Sequence, residues 1–266
     1  MNAPPTSPQV CVLNLNLRFG LADDGPNCWE KRRGSLESLL SVFTCDFYAF
    51  QEANDFQITY LSKLLPEYQV IGQRRPAPNF WQNNVLFYHP RWRCLSRDHF
   101  FLSATPDIPS RFVDSHWPRQ CSWGVFECCD RQVVCISTHF DFDPHVQHRS
   151  AQMIIDRLDG RSASSAVILM GDFNADQNSP ALEFLTSSKG GFHHTLQPPL
   201  QPTFHGFTGT GQGEPIDWIL YRGGMRPTRA RVVTDPYGGR FPSDHFALYA
   251  EFYFEVTGED LTLAAF

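Results

Sequence analysis

The sequence predicts a single α/β domain in which two stacked sheets carry helices on their outer faces. Short apolar runs alternate with segments of helical periodicity along the chain, which favours one domain over two. Roughly ten predicted strands are too many for one simple sheet flanked by only three or four helices, so two stacked sheets fit better. The composition is ordinary for a globular protein, with 42% hydrophobic and 19% charged residues.

The first half of the chain is predicted to hold two helices among its strands. A helix is predicted over 29–43, because apolar residues recur at 36, 39, 40 and 43. Asn54 is predicted to cap a second helix that runs to about Leu65 and is ended by Pro66. The strands of this half are predicted at 10–17, 46–50, 68–72, 84–88, 93–101, 121–128 and 132–138.

In the second half of the chain, predicted strands again alternate with predicted helices. A helix is predicted over 144–158, and Ser179 is predicted to cap another over 180–187 with Pro180 in its first turn. Strands are predicted at 166–170, 216–221, 229–234 and 246–254. The chain is therefore predicted to divide into a flexible N-terminus (1–9), a single folded domain (10–256) and a C-terminal tail (257–266).

Charge, cysteines and hydropathy narrow the class of protein. A net charge of −6 lowers the expectation of duplex DNA as substrate, although a local basic patch stays possible. Four of the eight cysteines lie inside apolar runs and no CxxC occurs, which favours reduced, buried thiols. No signal peptide or membrane span is predicted, so the expected compartment is the cytoplasm.

Six polar clusters follow or begin apolar strands, where strand ends hold side chains rigidly and loops leave them accessible. They are Asn14 and Asn16, Gln51 and Glu52, the run from Thr138 to Asp141, Asp172 and Asn174, Asp217, and the run from Ser243 to His245. In extended backbone, residues two apart face the same side, so Asp172 and Asn174 can point at one atom. Taken alone, such a pair is more often a turn or a helix cap.

Asp217 and His245 are predicted to form a pair. Asp217 lies between large apolar residues, and a buried carboxylate is costly unless it has a partner. His245 would supply that partner, and an imidazole can act as a base near neutral pH. The alternative for the run from Ser243 to His245 is a surface turn.

Glu52 follows a buried strand and is a hard oxygen ligand suited to Mg²⁺ or Mn²⁺, with Asn16 offering an amide oxygen. An exposed glutamate at a strand end is the alternative. The sequence contains no HxH, HExxH or cysteine cluster, which argues against catalytic zinc.

The motifs NLN, FQE, THFD, GDFN, IDWI and SDH, taken in this order, resemble the endonuclease/exonuclease/phosphatase superfamily, which includes deoxyribonuclease I-like nucleases. The resemblance spans residues 10–254. The segments LRFGLADDGPNCWEKRR, TFHGF and VVTDPYGGRFPSDHF resemble a bacterial subfamily of small metal-dependent hydrolases more closely. The resemblance implies a four-layered α/β sandwich, with two mixed β-sheets face to face and helices outside.

The resemblance also implies a metal site for one or two ions of Mg²⁺ or Mn²⁺. By resemblance, Glu52 is the main metal ligand and Asn16 helps at the metal, while Asp244 binds a metal or lies just behind it. Phe142 and Gln82 depart from the subfamily, whose members usually carry a histidine and often an acid there. These departures put the substrate and any second metal in doubt.

The same resemblance implies the catalytic roles. His139 stabilises the phosphate oxygens, and Asp172 orients or activates the attacking water. Asn174 orients the nucleophile or the phosphate, and Asp217 pairs with His245. Whether the histidine or the aspartate is the general base stays open.

Three further residues are candidates for substrate binding. Arg119 could contact phosphate through two nitrogens, His205 could lie at the pocket mouth, and Trp81 could stack on a ring. The alternatives are a surface arginine, a loop histidine, and a tryptophan that only fixes its loop to the core.

The function that the sequence favours is a metal-dependent phosphodiesterase or phosphatase, acting on a small phosphorylated molecule. A DNA or RNA nuclease is the alternative, which would need basic loops beside the cleft. A non-catalytic binding module is a distant third, because none of the motif residues is missing. The protein is expected to be a monomer without a membrane partner.

Overall fold

The structure is a computed structural model that describes residues 10–159 and 166–255. Its strands are β1 (Val10–Asn16), β2 (Phe47–Ala53), β3 (Gln69–Ile71), β4 (Asn83–Tyr88), β5 (Arg93–Phe101), β6 (Gln120–Cys128), β7 (Arg131–His139), β8 (Ala166–Asp172), β9 (His193–His194), β10 (Asp217–Arg222), β11 (Met225–Val233) and β12 (Ala247–Phe254). The helices are α1 (Trp29–Val42), α2 (Asp55–Leu64), α3 (Pro144–Asp159) and α4 (Pro180–Thr186), with a 3₁₀ turn at Gly25–Asn27. The predicted flexible N-terminus and the C-terminal tail lie outside the described residues.

Two six-stranded mixed sheets form the centre of the domain. The first has the strand order β11-β12-β1-β2-β4-β3, and the second has the order β5-β6-β7-β8-β10-β9. In the first sheet β1 and β2 are parallel, and in the second β7 and β8 are parallel, while the other pairs are antiparallel. This arrangement confirms the prediction of two stacked mixed sheets.

Three apolar cores show that the domain has four layers. One core, which includes Phe47, Ile168 and Phe252, joins the inner faces of the two sheets. A second packs α1 and α2 on the outer face of the first sheet, and a third packs α3 and α4 on the second. Helices therefore cover both outer faces, as the sequence and its resemblance predicted.

Local sequence explains where the helices begin. The side chain of Asn54 accepts a hydrogen bond from the backbone amide of Gln57, and the backbone amide of Asn54 donates to the Oε1 of Gln57 at 2.9 Å, which is the reciprocal capping box. At α4, the hydroxyl of Ser179 accepts from the amide of Leu182, and Pro180 opens the first turn. Both caps lie where the sequence predicted them.

The second strand differs from its prediction. It continues past Phe50 to Ala53, with a shift of register against β4 between those two residues. Glu52 lies in that bulge with a φ of 58°, in the left-handed region that residues with a Cβ seldom adopt. Glu52 is thus held inside an irregular strand end rather than after it.

Two other features complete the fold. All eight cysteines are free, and those in the apolar runs are buried, as predicted: Cys11, Cys45, Cys121 and Cys135. Within residues 10–159 and 166–255, no helix is both long enough and apolar enough to cross a membrane.

Candidate active site

Side chains from both sheets meet at one end of the sandwich. The first sheet and its flanks supply Asn16, Glu52 and His245, whereas the second supplies His139, Asp172 and Asp217. Asp172 is the register partner of both His139 and Asp217, so it lies between them in the second sheet. The Nδ2 of Asn16 crosses to the second sheet and donates to the Oδ2 of Asp172 at 2.8 Å.

The predicted pair of Asp217 and His245 is confirmed. The Nδ1 of His245 lies 2.8 Å from the Oδ2 of Asp217, and its Nε2 lies 3.8 Å from the Oδ2 of Asp172. Burial by itself lowers the pKa of His245, but the charges of Asp217 and Asp172 outweigh it and raise the pKa to about 10. His245 is therefore an imidazolium at neutral pH, held between two carboxylates.

Asp172 is a buried acid that lies between His139 and Asp217. Burial raises the pKa of Asp172 and the charge of Asp217 raises it further, to about 7, against the opposing effects of His245 and Asn16. A carboxyl group with this pKa exchanges its proton near neutral pH, which suits a general base. Its Oδ1 also accepts from the backbone amide of Asn174 at 2.9 Å.

His139 is neutral, and Arg119 fixes its tautomer. Burial lowers the pKa of His139 well below its usual value, and the charges of Arg119 and His245 lower it further. The guanidinium of Arg119 can only donate, so at 3.0 Å the Nδ1 of His139 accepts and the ring proton lies on Nε2. That Nε2 faces the Oδ2 of Asp172 at 3.4 Å.

Asn174 lies beside His139 in a left-handed turn. Its φ is 48°, a conformation that asparagine tolerates better than most residues. The Nδ2 of Asn174 donates to the carbonyl oxygen of Phe140 at 3.1 Å and lies 3.1 Å from the Nε2 of His139. The structure therefore brings together His139, Asp172 and Asn174, which the sequence placed in two separate motifs.

Asn16 differs from its prediction. Its Oδ1 accepts from the backbone amide of Arg18 at 2.8 Å, so that oxygen is directed to the chain rather than to a metal. Its Nδ2 donates to both the Oε1 of Glu52 at 3.1 Å and the Oδ2 of Asp172 at 2.8 Å. Asn16 thus joins two carboxylates instead of offering an oxygen ligand.

The donor set fits a hard divalent cation. Asp172, Asp217 and His245 place their ligand atoms within 4.8 Å of one another and form a possible metal site. Glu52 adds a third carboxylate, which lies beside that of Asp172, and its Oε2 accepts a hydrogen bond from the amide of Phe19 at 2.6 Å. Several carboxylate oxygens at one point suit Mg²⁺ or Mn²⁺ better than softer ions.

Asp244 does not belong to that group of ligand atoms. Its Oδ2 lies 3.6 Å from the Nε of Arg18, and its Oδ1 accepts from the hydroxyl of Ser243 at 3.1 Å. Arg18 also holds Asp24 at 2.9 Å, and these acids raise its pKa. Asp244 is therefore placed to orient Arg18, which differs from the predicted metal ligand.

A pocket of about 520 Å³ opens beside these residues. Its lining includes Glu52 and His139 from the site, with Arg119 and Trp81 as predicted from the sequence. The two positions that depart from the resembling subfamily also lie there, namely Gln82 and Phe142. Arg119 is nearly buried and supports His139, so it is not the surface residue of the alternative interpretation.

His205 does not reach the pocket mouth, and its predicted position was wrong. The side chain is fully buried, stacked on the ring of Phe246 at 4.0 Å and against Phe241 at 4.7 Å. Its Nδ1 accepts from the amide of Gly209 at 3.2 Å. These contacts make His205 part of the packing that holds the loop before β12.

Asp141 is a residue whose importance the sequence did not single out. It is fully buried, and its Oδ2 accepts from the hydroxyl of Ser115 at 2.8 Å and from the amides of His116 and Trp117 at 2.9 and 3.2 Å. Burial by itself raises the pKa of Asp141, but the hydrogen bonds from His116 and Ser115 outweigh it and lower the pKa to about 2. Its place in the THFD motif was the only signal.

Replacing Asp141 with Asn is expected to lower the free energy of unfolding by about 1–3 kcal/mol at pH 7, because an amide cannot satisfy all of these donors. The pKa is depressed on folding, so the stabilisation is complete above about pH 4 and is lost as the pH falls towards 2. Denaturant titrations at pH 7 and pH 3 should therefore show a smaller difference from wild type at pH 3.

Asp114→Asn is the matched control, since Asp114 lies on the loop that carries Ser115 and His116 and its side chain is 69% exposed. It should unfold as the wild type does at both pH values. A difference for Asp141→Asn that is equal at pH 7 and pH 3 would contradict the role given to the ionised carboxylate.

Comparison with known proteins agrees with this geometry. The model of the endonuclease/exonuclease/phosphatase family matches residues 13–245, which is most of the chain. The chain belongs to the endonuclease/exonuclease/phosphatase family. As a member, it is a phosphoesterase, and the strand-end residues described above lie within or at the limit of the matched range. Searches among curated proteins found no match.

Several solved structures share the family fold. A family protein from Bacteroides thetaiotaomicron is 27% identical, with a TM-score of 0.84, and the match covers 94% of this chain and 100% of that one. The mannosyl-6-phosphatase Bt3783 of Bacteroides thetaiotaomicron VPI-5482 is also 27% identical, with a TM-score of 0.84 and coverage of 92% and 100%. D. rerio TDP2, solved with a single strand DNA product, is 14% identical, with a TM-score of 0.73 and coverage of 92% and 98%, and shares the fold alone.

Proposed function

We propose that this protein is a metal-dependent hydrolase of small phosphoesters, and of phosphomonoesters in particular. The observation that carries the proposal is the convergence of His139, Asp172 and Glu52 at one end of the sandwich, beside a pocket of about 520 Å³. A pocket of this volume suits a small molecule. The likeness to a mannosyl-6-phosphatase supports a monoester, and a sugar phosphate is one candidate.

The reaction is a hydrolysis in which a water oxygen forms a bond to phosphorus and the bond to the ester oxygen breaks. The water gives up a proton, and the leaving oxygen gains one. A bound Mg²⁺ or Mn²⁺ would offset the negative charge of the phosphate oxygens. Glu52 would hold that ion, because its carboxylate lies beside the site with the Nδ2 of Asn16 donating to both Glu52 and Asp172.

Asp172 is the residue that takes the proton from water. Its pKa of about 7 leaves it ionised in part at neutral pH, whereas His245, with a pKa of about 10, already carries its proton. His245 therefore donates to the phosphate oxygens or to the leaving oxygen, with Asp217 holding the ring in place at 2.8 Å. Of the histidine and the aspartate, Asp172 is therefore the general base that we propose.

The Nε2 proton of His139 is a second donor for the phosphate. Its tautomer is set by Arg119 from behind, so the proton faces the cluster. Asn174 lies beside it and would orient the phosphate through its amide. These neutral donors stabilise charge that develops in the transition state without adding a competing acid.

A comparison of a phosphate monoester and diester that share one aryl leaving group tests the proposal. With Mg²⁺ or Mn²⁺, kcat/KM for the monoester is expected to exceed that for the diester by at least about tenfold, or 1.4 kcal/mol in activation free energy. Single-stranded DNA of defined length is the third substrate. A preference for the diester, or faster cleavage of DNA, would instead favour the phosphodiesterase or nuclease alternative.

A further inference from the structure

Three large apolar side chains lie exposed around the pocket that contains His139. Phe80, Trp117 and Phe142 are 64%, 61% and 57% exposed, and all three line that pocket. Exposed apolar groups of this size are uncommon when they cluster, and they mark binding surfaces. Trp81, half-buried in the same lining, extends the aromatic wall.

The backbone around Trp117 is fixed while its ring stays exposed. Its amide donates to the Oδ2 of Asp141 at 3.2 Å, and its carbonyl oxygen lies 2.7 Å from the hydroxyl oxygen of Ser115. Asp141 is fully buried, so this anchor is rigid. The ring is therefore presented by a loop that cannot easily fold it into the core.

The loop that carries Phe80 is held in the same way. The buried Asn54, which also caps α2, donates from its Nδ2 to the carbonyl oxygens of Asn79 at 3.3 Å and Trp81 at 2.9 Å. These two contacts lie on either side of Phe80 in the chain. Two separate loops thus keep aromatic rings at one pocket, which reduces the entropy lost when a ligand binds.

Some polar side chains of this wall donate hydrogen bonds within the protein, whereas the Nε1 of Trp81, the Nε of Arg119 and the Oε1 of Gln120 have no hydrogen-bond partner among the described residues. The Nδ2 of Asn84 donates to the carbonyl oxygen of Gln120 at 2.7 Å, and the Nε2 of Gln120 donates to that of Gln82 at 3.0 Å. Arg119 donates to His139, and Arg18 is held by Asp24. The exposed apolar faces of Phe80, Trp117 and Phe142, rather than these polar groups, are what favour an aromatic ring at this pocket.

We infer that the pocket binds an aromatic ring on the leaving group of the phosphoester. The inference rests on the proposed function, and it names the substrate class. The phosphate lies against His139 and Glu52, while the ring contacts Trp117, Phe80 and Phe142. Aromatic rings stack on exposed aromatic faces with a preference over saturated rings of equal size.

Three phosphomonoesters of alcohols test this inference: benzyl phosphate, cyclohexylmethyl phosphate and a hexose 6-phosphate. Hydrolysis of each of the three esters releases a primary alcohol, so differences in kcat/KM report mainly the binding of the ring. The kcat/KM for benzyl phosphate is expected to exceed that for the hexose phosphate by at least about tenfold. It is expected to exceed that for cyclohexylmethyl phosphate by a smaller factor. A preference for the hexose phosphate, or equal rates for the benzyl and cyclohexyl compounds, would overturn the inference.

Variants assign the effect to the aromatic wall. Trp117→Ala should lower the ratio of benzyl to cyclohexylmethyl phosphate towards one, and Phe142→Ala should act in the same direction. Val113→Ala is the control, because Val113 is 90% exposed on the same loop and lies outside the pocket lining. Equal losses for all three substrates in Trp117→Ala would indicate a structural role and contradict the inference.

Binding without turnover separates this inference from the proposed function. Calorimetric titration compares the affinity for benzylphosphonate with that for methylphosphonate, which lacks the ring. Neither phosphonate has an ester bond that the enzyme could break. Benzylphosphonate is expected to bind at least about tenfold more tightly, and Trp117→Ala is expected to remove that advantage. If no phosphoester is hydrolysed the proposed function fails, whereas equal affinity for the two phosphonates overturns the aromatic site.

Discussion

The Asp172→Asn variant is expected to lose about 10³-fold in kcat/KM, the middle of the range for removing a general acid or base. The amide keeps the shape of the side chain but cannot accept a proton from water. Initial rates on the best phosphomonoester, with saturating Mg²⁺, measure the loss.

The same substitution is expected to leave stability unchanged or to raise it. Folding raises the pKa of Asp172 to about 7. At a pH above the ordinary pKa of a carboxyl group, the buried negative charge therefore lowers the stability of the folded state. An uncharged amide removes that penalty, although His245 loses one of its two anionic neighbours. Stability retained together with activity lost is typical of a residue kept for chemistry.

Asp176→Asn is the matched control for Asp172. It makes the same exchange four residues further along, where the carboxylate only accepts from the amide of Asn178 in a turn. Near-native rates are expected for this control. If Asp172→Asn also kept near-native rates while folded, Asp172 would not be the base and the assignment of the site would be wrong.

Removing divalent metal is expected to abolish turnover. Excess chelator should lower the rate to background, and added Mg²⁺ or Mn²⁺ should restore it. The physical reason is that a phosphate ester repels the incoming water oxygen until a cation offsets the charge of its oxygens. Full activity in excess chelator would exclude the metal mechanism.

Glu52→Gln tests which side chain holds the ion. The variant is expected to need at least about tenfold more Mg²⁺ for half-maximal rate, because an amide oxygen is a weaker ligand than a carboxylate. Glu67→Gln, an exposed substitution beyond α2, is the control and should follow the wild-type metal dependence. If Glu52→Gln needed the same Mg²⁺ concentration as the wild type, Asp172, Asp217 and His245 would instead be indicated as the ligands.

Much of the site could be predicted because its residues face a local physical constraint. Asp217 lies in an apolar strand, and the cost of a buried charge required a partner, which His245 provides at 2.8 Å. The two caps at Asn54 and Ser179 were readable for a similar reason, since each satisfies amides within its own first turn. Constraints of this kind act over a few residues or on one unavoidable charge.

Predictions failed where a side chain had more than one possible partner. The side-chain amide of Asn16 has an oxygen and a nitrogen, and only its neighbours in the two sheets decide that the nitrogen donates to Glu52 and Asp172. His205 could equally have faced solvent, but Phe241 and Phe246 enclose it. The choice depends on contacts between distant segments, which the spacing of residues does not encode.

The sequence by itself determined the layered fold and the set of polar residues at the strand ends. Apolar periodicity and turn residues act locally, so they can be recognised without knowing the partners of each element. Only the tertiary structure decided the charge states of His139, Asp172 and His245, because a pKa depends on burial and on charges brought from other strands. It also decided that Phe80, Trp117 and Phe142 meet at one pocket, since three separate loops carry them there.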